Sequence, residues 1–223
     1  MSQEKRHKRV IVWMRRALRV QDNGALSAAA RDAEVVIPVL CLNPDPDYRL
    51  DTPRRRYVSS SIASLDSQLR AVGSQLFVVR GDIEDELRAF AQQIGANAMY
   101  AVEVYDPIAL TRDEAIRNSL KRIGIEFLTF KDRVIFEKEE ILNQARLPFK
   151  VFTPYKRVWL ENVSDVPPVL PTIKSLKSSD VAVSKPMIEL SKAITTIEPN
   201  TGQEAARKQL RQFIKQKAGG WRS

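Results

Sequence analysis

The chain has 223 residues, of which 43% are hydrophobic, and carries a formal net charge of +9 at pH 7. This length predicts one domain with a sizeable core, or one domain with a tail. The single cysteine, Cys41, excludes disulfides within the chain and zinc sites built on cysteine. No apolar run approaches the roughly 20 residues of a membrane span, and no signal peptide opens the sequence, so we expect a cytoplasmic protein.

The first predicted strand and its connection organise the rest of the chain. Val10–Met14 is an unbroken apolar run, typical of a strand that is buried on both faces. A turn at Asp22–Gly24 then leads into an alanine-rich helix. Three arginines lie between the strand and this turn: Arg15, Arg16 and Arg19. The basic stretch Lys5–Arg9 before the strand contains the single histidine, His7, and is predicted to be a disordered arm.

Four more apolar segments follow and alternate with amphipathic helices. The predicted strands are Val35–Leu42, Leu76–Val79, Ala98–Val102 and Ile125–Phe130. Helices between them are predicted to begin after the capping signals Thr52–Pro53, Asp82, and Thr111 with Glu114. They are predicted to stop at Gly73, Gly95 and Gly124. Pro38 cannot donate a hydrogen bond in a ladder, so we expect a bulge or an unpaired position there.

This alternation predicts an α/β fold with a parallel sheet covered on both faces. We predict a three-layer, doubly wound, Rossmann-like domain over residues 9–145, with five parallel strands in the order 3-2-1-4-5. That order places the topological switch point between strands 1 and 4, where such folds bind ligands. The crevice should be lined by Arg15 and Arg16 on one side and by Glu103, Tyr105 and Asp106 on the other.

The remaining third of the chain is predicted to hold little regular structure until its end. Residues 132–144 suggest an apolar turn and a short acidic helix, and residues 147–159 an aromatic and basic loop. Residues 146–200 are therefore assigned as this loop followed by a linker rich in proline, serine and lysine. Residues 201–217 form a last helix with a capping box and an apolar stripe, which must pack on this domain or on another one.

The residues alone indicate no catalytic machinery. The sequence has neither G-x-G-x-x-G nor a Walker loop. One histidine and one cysteine cannot complete a Ser/His/Asp or Cys/His set, and we predict no catalytic residue and no metal site. The residues by themselves support an α/β nucleotide-fold domain with an arginine-lined crevice.

Ordered motifs along the chain resemble one family. Trp13–Arg19 followed by Asp22–Leu26 resembles the W-F-R-x-D-L-R-x-x-D-N-x-A-L opening of the DNA photolyase/cryptochrome family. Tyr105–Pro107 with Arg112–Asp113 is similar to the family's Y-E-P and R-D pair, and Val151–Tyr155 matches its V-F-T-P-[FY] segment. The resemblance implies the N-terminal α/β domain of such a protein, which in the family holds or borders a light-harvesting antenna chromophore.

The resemblance also implies a partner. Photolyases carry a helical domain that binds FAD and the flipped pyrimidine dimer, and this sequence is expected to end where that domain would begin. FAD would then bind only through a helical domain from the same gene or from a separate chain. We therefore expect the chain alone not to repair pyrimidine dimers, and to contact DNA only weakly through its lysines and arginines.

Any chromophore bound to the α/β domain is expected at the carboxyl ends of strands 1, 2 and 4. A flavin or deazaflavin is favoured over a folate, because the family's folate site lies at the cleft between the two domains. The expected cofactor-binding residues are Arg15, Arg16, Asn43, Arg54, Glu103, Tyr105 and Asp106. Two alternatives stay open: a free-standing flavin- or nucleotide-binding module or cryptochrome-type light-signalling protein, and a plain nucleotide-binding domain whose family motifs serve only folding.

Overall fold

Five parallel strands form the centre of the structure, a computed structural model that describes residues 5–43, 52–163, 169–177 and 200–216. The strands are β1 (His7–Trp13), β2 (Ala33–Leu42), β3 (Phe77–Arg80), β4 (Ala98–Val102) and β5 (Glu126–Phe130). Their order is β3-β2-β1-β4-β5, and every neighbouring pair is parallel. This confirms the predicted doubly wound order, with the switch point between β1 and β4.

Helices cover both faces of the sheet and complete three layers. They are α1 (Gly24–Asp32), α2 (Pro53–Ala71), α3 (Ile83–Gln93), α4 (Pro107–Lys121), α5 (Phe152–Asn162) and α6 (Gly202–Gln216). Buried residues of α1 and α2 pack in one core on one face of the sheet, and buried residues of α3 and α4 pack in a second core on the other face.

The central strand β1 explains why its sequence is a continuous apolar run. Val10 and Val12 belong to the core beneath α1 and α2, whereas Ile11 and Trp13 belong to the core beneath α3 and α4. Since successive side chains of a strand point to opposite faces, both faces must be apolar. Each such side chain stabilises the fold by about 1.5–3 kcal/mol when it is fully buried.

β1 starts earlier than predicted, and the expectation of a disordered arm over Lys5–Arg9 is wrong for these residues. His7, Lys8 and Arg9 lie in the strand. The side-chain carbonyl of Asn97 accepts hydrogen bonds from the backbone N–H groups of Lys8 and Arg9, at 3.1 and 2.9 Å. These bonds from the loop before β4 extend the strand through a basic segment that has no apolar periodicity.

Pro38 is accommodated without a bulge. It pairs in continuous register with Val12 of β1. The pairing of β2 with β3 begins only at Val39, opposite Phe77. Pro38, which has no N–H to donate, therefore lies one position before the pairing of β2 with β3 starts. On that side β2 resembles an edge strand at Pro38, and edge strands tolerate proline.

Helix α4 begins four residues before the predicted capping residue Thr111. Asp106 is its N-cap, and the carboxylate of Asp106 accepts a hydrogen bond from the N–H of Ala109 at 2.9 Å. Pro107 follows at the first helical position, where its missing N–H costs nothing. Thr111 lies inside the helix and donates its hydroxyl to the carbonyl of Pro107, so the predicted capping box is wrong.

The segment between β5 and the end of α5 also differs from the prediction. Residues 132–144 form consecutive turns instead of a short helix, and the side chain of Asn143 accepts from the N–H groups of Ala145 and Leu147. Residues predicted as a loop form α5 instead. Proline usually breaks a helix, but Pro154 lies in the first turn of α5, where proline is tolerated.

The described part of the predicted linker, residues 169–177, lies against the domain. The N–H of Leu176 donates to the carbonyl of Val72 at 2.7 Å, and the carbonyl of Lys177 accepts from Val36 at 3.2 Å. Ile173 and Leu176 are buried in the core beneath α1 and α2. The rest of the linker lies outside the described residues, and the division into 9–145, 146–200 and 201–217 stays a prediction.

The last helix, α6, lies within the predicted residues 201–217 and packs against α2. Gly202 approaches α2 so closely that a Cβ there would lie 2.7 Å from the Cβ of Ser64. Next to it, Gln203 donates to the carbonyl of Gln21 at 3.0 Å and accepts from the N–H of the same residue at 3.3 Å. The first residues of α6 are therefore held against this domain, while no residue of the helix is buried.

Asn23 shapes the connection between β1 and α1. The side chain is 1% exposed and caps α1 by accepting from the N–H of Leu26 at 3.1 Å. Its amide nitrogen donates to the carbonyls of Ala17 and Arg19, at 3.3 and 3.0 Å. The Asn23 side chain thus caps α1 and also hydrogen-bonds two carbonyls of the loop that carries the arginines.

Replacing Asn23 by alanine should lower the free energy of unfolding by about 1–3 kcal/mol, because a helix cap is lost and buried carbonyls lose their donor. Urea denaturation measures the change. The control is Thr52→Ala, which removes an exposed cap bonded to the N–H of Arg55 and should cost about 0.5–1 kcal/mol. Equal losses in the two variants would contradict this assignment.

Candidate functional site

Arg15 is buried at the carboxyl end of β1 and bridges the switch point. Its guanidinium stacks on the ring of Trp13 at 4.4 Å and donates to the carbonyl of Val102, at the end of β4, at 2.5 Å. It also forms a bidentate ion pair with Asp113 of α4. Both side chains are 6% exposed. The charge of Arg15 is therefore balanced inside the protein.

Arg112 lies over the same tryptophan ring. Its guanidinium is 5.3 Å from the ring centroid of Trp13. Burial lowers the pKa of Arg112, while the neighbouring Asp113 raises it and Arg15 lowers it. Trp13 is thus contacted by two guanidinium groups where β1 ends.

Arg16 and Asp106 form a second, more exposed pair across the switch point. Their side chains lie 2.6 Å apart and are 42% and 44% exposed. The pKa of Asp106 is lowered first by the hydrogen bond from the N–H of Ala109 and then by the charge of Arg16. Because water screens this pair, it contributes little to stability.

Tyr105 is directed toward the turns that follow β5. Its hydroxyl donates to the carboxylate of Glu137 at 2.9 Å, and Arg133 lies 5.6 Å from its ring centroid. Burial, together with this hydrogen bond, raises the pKa of Tyr105. Glu103 is half-buried next to it, and its N–H donates to the carbonyl of Phe130.

Arg19 ties the loop after β1 to the turn after β5. Its guanidinium donates twice to Asp132, at 2.6 and 3.2 Å, and once to the carbonyl of Asp22 at 2.6 Å. The side chain of Asp132 is 2% exposed. Arg19 is therefore held at a fixed position with part of its surface open to solvent.

A cleft of about 600 Å³ opens between the β1–α1 connection, α2 and α6. We call it the arginine cleft. Its lining residues are Arg15, Arg16, Leu18, Arg19, Asp22, Tyr57, Val58, Ser61, Gly202, Gln203, Ala206, Arg207 and Leu210. Three of the four arginines pair with aspartates outside the lining, so the positive charge open to a ligand comes from Arg207 and from the partly exposed Arg16. The volume of the cleft lies within the range of small-molecule sites.

The predicted site residues divide into three groups. Arg15 and Arg16 line the arginine cleft, whereas Glu103, Tyr105 and Asp106 follow β4 on the far side of the switch point. Asn43 and Arg54 are exposed on either side of residues 44–51, which lie outside the described chain. The assignment of these seven residues to one cofactor site stays a prediction.

The structure adds lining residues that the sequence did not point to. Tyr57 comes from α2, and Gln203, Arg207 and Leu210 come from α6. The sequence signalled only that the last helix has an apolar face that needs a partner. Which surface it covers depends on long-range packing, and no local pattern encodes that contact.

Other chemistry is limited within the described residues. No group of His, Cys, Asp and Glu side chains there could hold a metal ion. Burial raises the pKa of Cys41 to about 12, so its thiol is a weak nucleophile at neutral pH. No described helix combines the length and apolar character that a bilayer span requires.

Comparison with known proteins assigns the family. Residues 10–174 match the family model described as DNA photolyase. The chain belongs to the DNA photolyase family. It is 33% identical to cryptochrome-1 of Arabidopsis thaliana over 184 residues, which are 80% of this chain and 27% of that protein. The family assignment confirms the resemblance carried by the opening motif, the Y-E-P segment and the V-F-T-P segment.

Solved photolyase structures share the fold. A bacterial class III photolyase from Agrobacterium tumefaciens superposes with a TM-score of 0.77 at 26% identity, covering 96% of this chain and 46% of that one. An archaeal photolyase from Sulfolobus tokodaii, solved with two FAD molecules, gives 0.68 at 27% identity, covering 91% and 45%. The chain thus spans less than half the length of these relatives.

Removing the Asp113 carboxylate should destabilise this photolyase-family domain strongly. Asp113→Ala leaves the buried Arg15 guanidinium without its counter-charge, and we expect a loss of about 3–5 kcal/mol in the free energy of unfolding. The matched control is Arg16→Ala, which breaks the exposed pair with Asp106 and should cost at most about 1 kcal/mol. Chemical denaturation at one pH measures both. A loss for Asp113→Ala no larger than the control would show that the pair is not a structural anchor.

Proposed function

We propose that this chain is the antenna and structural α/β portion of a deoxyribodipyrimidine photolyase, and that the arginine cleft holds a light-harvesting chromophore. The observation that carries the proposal is the cleft itself, which sits at the carboxyl edge of the sheet next to the switch point. Doubly wound folds bind their ligands at this edge. Family membership supplies the light-driven chemistry in which such a ligand would act.

The lining of the cleft favours a flavin nucleotide. The guanidinium groups of Arg207 and of the partly exposed Arg16 match a phosphate-bearing ligand. Tyr57, Leu18 and Val58 offer an aromatic ring and apolar surface against which a flat ring system can stack. A deazaflavin is the second choice and a folate the third. The Sulfolobus tokodaii relative, described as holding two FAD molecules with one implied as a light-harvesting cofactor, supports the flavin assignment.

The arginines take different parts in this proposal. Arg15 and Arg19 are fixed by Asp113 and Asp132, so they set the shape and the potential of the cleft. Arg16 is paired only at the surface, and Arg207 projects from α6 on the opposite wall. We assign phosphate contact to Arg16 and Arg207.

A helical FAD-binding domain is the proposed partner, on the same or on a second chain. Leu210, Phe213 and Ile214 of α6 are 58%, 56% and 54% exposed, and Phe152 of α5 is 72% exposed. Large apolar side chains that are exposed at neighbouring positions of a helix, as in α6, are typical of interaction surfaces. DNA contact by this chain is proposed to be weak and sensitive to salt, and a cytoplasmic location stays a prediction.

One observation favours a second function. The charge of Arg15, the most buried arginine of the predicted site, is balanced by Asp113 within the protein, which fits a domain whose family motifs serve folding. Similarity to a plant cryptochrome also supports light signalling without repair. The ligand-binding and repair experiments below separate these functions from the first.

Flavin mononucleotide should bind the purified chain, and Arg207→Ala should weaken binding by about 10- to 100-fold, because a hydrogen bond between charged groups contributes about 1.5–3 kcal/mol. Quenching of flavin fluorescence measures the affinity. Lys208→Ala is the matched control: it removes one positive charge from the next position of α6, which is not part of the cleft lining. Lys208→Ala should leave the affinity within about twofold. Absence of saturable binding by flavin mononucleotide, FAD, deazaflavin and folate would count against the chromophore proposal.

Repair should require a flavin domain. Dimer-containing DNA illuminated with this chain, FAD and a reductant should stay unrepaired, and repair should appear when a separately expressed helical flavin domain of the family is added. Loss of dimers can be followed by absorbance. Repair by this chain alone would overturn the proposed division of labour, and failure of several such domains to restore repair would favour a light-signalling or purely structural role.

A further inference from the structure

Helix α6 is held to the domain at its beginning. Gly202 lies close to Ser64 of α2, and Gln203 forms two hydrogen bonds with the backbone of Gln21. No residue of the helix is buried, and residues 206–216 are all exposed. The second half of α6 therefore presents its side chains to solvent or to a partner.

One face of this exposed half is apolar. Leu210, Phe213 and Ile214 are separated by three and four residues, or are adjacent, so their side chains lie on one face of the helix. All three are more than half exposed. We call them the apolar stripe. Apolar side chains at this spacing are the anchors that a helix inserts into a groove of its partner.

A basic stripe runs beside the apolar stripe. It consists of Lys208, Arg211 and Lys215, which are exposed and separated by three and four residues. Arg211 precedes Ile214 by three residues, so the two stripes are neighbours on that side of the helix. Like charges at this spacing repel each other, and Glu204 is the one acidic residue in the sequence of α6. This side of the helix therefore carries a net positive charge.

The basic stripe differs from the charged surfaces of the other long helices. Each of α2, α3, α4 and α5 pairs an arginine with an acidic residue three or four positions away; the pairs are Arg70–Asp66, Arg88–Asp85, Arg117–Glu114 and Arg157–Glu161. Among the residues that the structure describes, none forms an ion pair with Lys208, Arg211 or Lys215. The charge that other helices neutralise along their own surface thus stays open on α6.

The two stripes together restrict the kind of partner. A second copy of this chain would bring one basic stripe toward another, and their repulsion opposes that contact. Nucleic acid would pair with the cations but leave the apolar stripe in water. The attraction of a bilayer grows with the apolar area that a helix buries, and the apolar stripe covers about one and a half turns. A protein surface with both apolar and acidic parts satisfies both stripes.

We infer that α6 docks into an apolar groove of a protein partner, and that one rim of this groove carries carboxylates. The apolar stripe fills the groove and the basic stripe pairs with the rim. Gln209 and Gln216 lie on the opposite side of the apolar stripe, so the charge on one side alone sets the orientation of the docked helix. The identity of this partner as the helical flavin domain rests on the proposed function, whereas the acidic rim follows from α6 itself.

The test measures binding of the full chain to a separately expressed helical flavin domain of the family. Raising sodium chloride from about 50 to about 500 mM should weaken binding at least about tenfold, because salt screens the charges at the rim. Arg211→Glu should weaken binding by about 10- to 100-fold, and Arg211→Lys should keep it within about threefold. Phe213→Ser, which removes an apolar anchor, should also weaken it by about 10- to 100-fold.

Lys121→Glu is the matched control, because it makes a charge reversal at an exposed position in the last turn of α4. It should leave the affinity within about twofold. Circular dichroism checks the fold of each variant. If the domain binds and neither salt nor Arg211→Glu changes the affinity, the acidic groove is ruled out while the proposed partner stands. Normal binding by Phe213→Ser, or an equal loss in Lys121→Glu, also overturns the inference.

A second probe decides the case in which no helical flavin domain binds, which would contradict the proposed partner. It is a designed helical peptide with a leucine face flanked by glutamates, compared with the same peptide flanked by lysines. Saturable binding of the glutamate peptide alone, lost in Arg211→Glu and in Phe213→Ser, would support the inference, and absence of binding would overturn it.

Other anionic surfaces are tested in parallel. Duplex DNA and phosphatidylglycerol vesicles should bind the chain more weakly than the protein probe does. If either binds more tightly, and loses that binding in Arg211→Glu and in Phe213→Ser, α6 belongs to that surface and the inference is overturned.

Discussion

The buried ion pair between Arg15 and Asp113 is the interaction on which the carboxyl edge of the sheet depends. It joins the end of β1 to α4 across the switch point, and the same guanidinium binds the last carbonyl of β4 and stacks on Trp13. Burying either charge alone would be strongly unfavourable, so the two elements must stay together. The loop that follows β1 then leaves the sheet in a defined direction, with Asn23 holding its far end.

This constraint explains why the three arginines after β1, Arg15, Arg16 and Arg19, have different roles. The first is neutralised by an aspartate on α4, the second pairs at the surface, and the third pairs with Asp132 after β5. A crevice lined with arginines is therefore not automatically an anion site. In the arginine cleft, the positive charge open to a ligand comes from Arg16, which is partly exposed. Arg207 of α6, more than 180 residues further along the chain, adds a second charge.

The sequence predicted the architecture well because the architecture follows from local signals. Apolar runs and capped amphipathic helices placed β4 at its observed bounds, and the α/β alternation predicted the doubly wound class, within which the order 3-2-1-4-5 was chosen and is observed. Errors arose where a side chain from elsewhere decides the local structure: Asn97 extends β1, and Asp106 caps α4 before Thr111 can. The arginine cleft depends on α6, whose position no local pattern encodes.

Helix α6 lines the arginine cleft with one part of its surface and exposes apolar side chains on another. Gln203, Ala206 and Leu210 face the arginine cleft, and Leu210 also begins the exposed stripe that continues through Phe213 and Ile214. A ligand that contacts the first half of this face and a partner that covers the second half both favour the same placement of the helix. If α6 takes more than one placement in the free chain, the proposed chromophore and the proposed partner would strengthen each other's binding by the same factor. Light harvesting and domain assembly would in that way be coupled through one helix, without any change in the sheet.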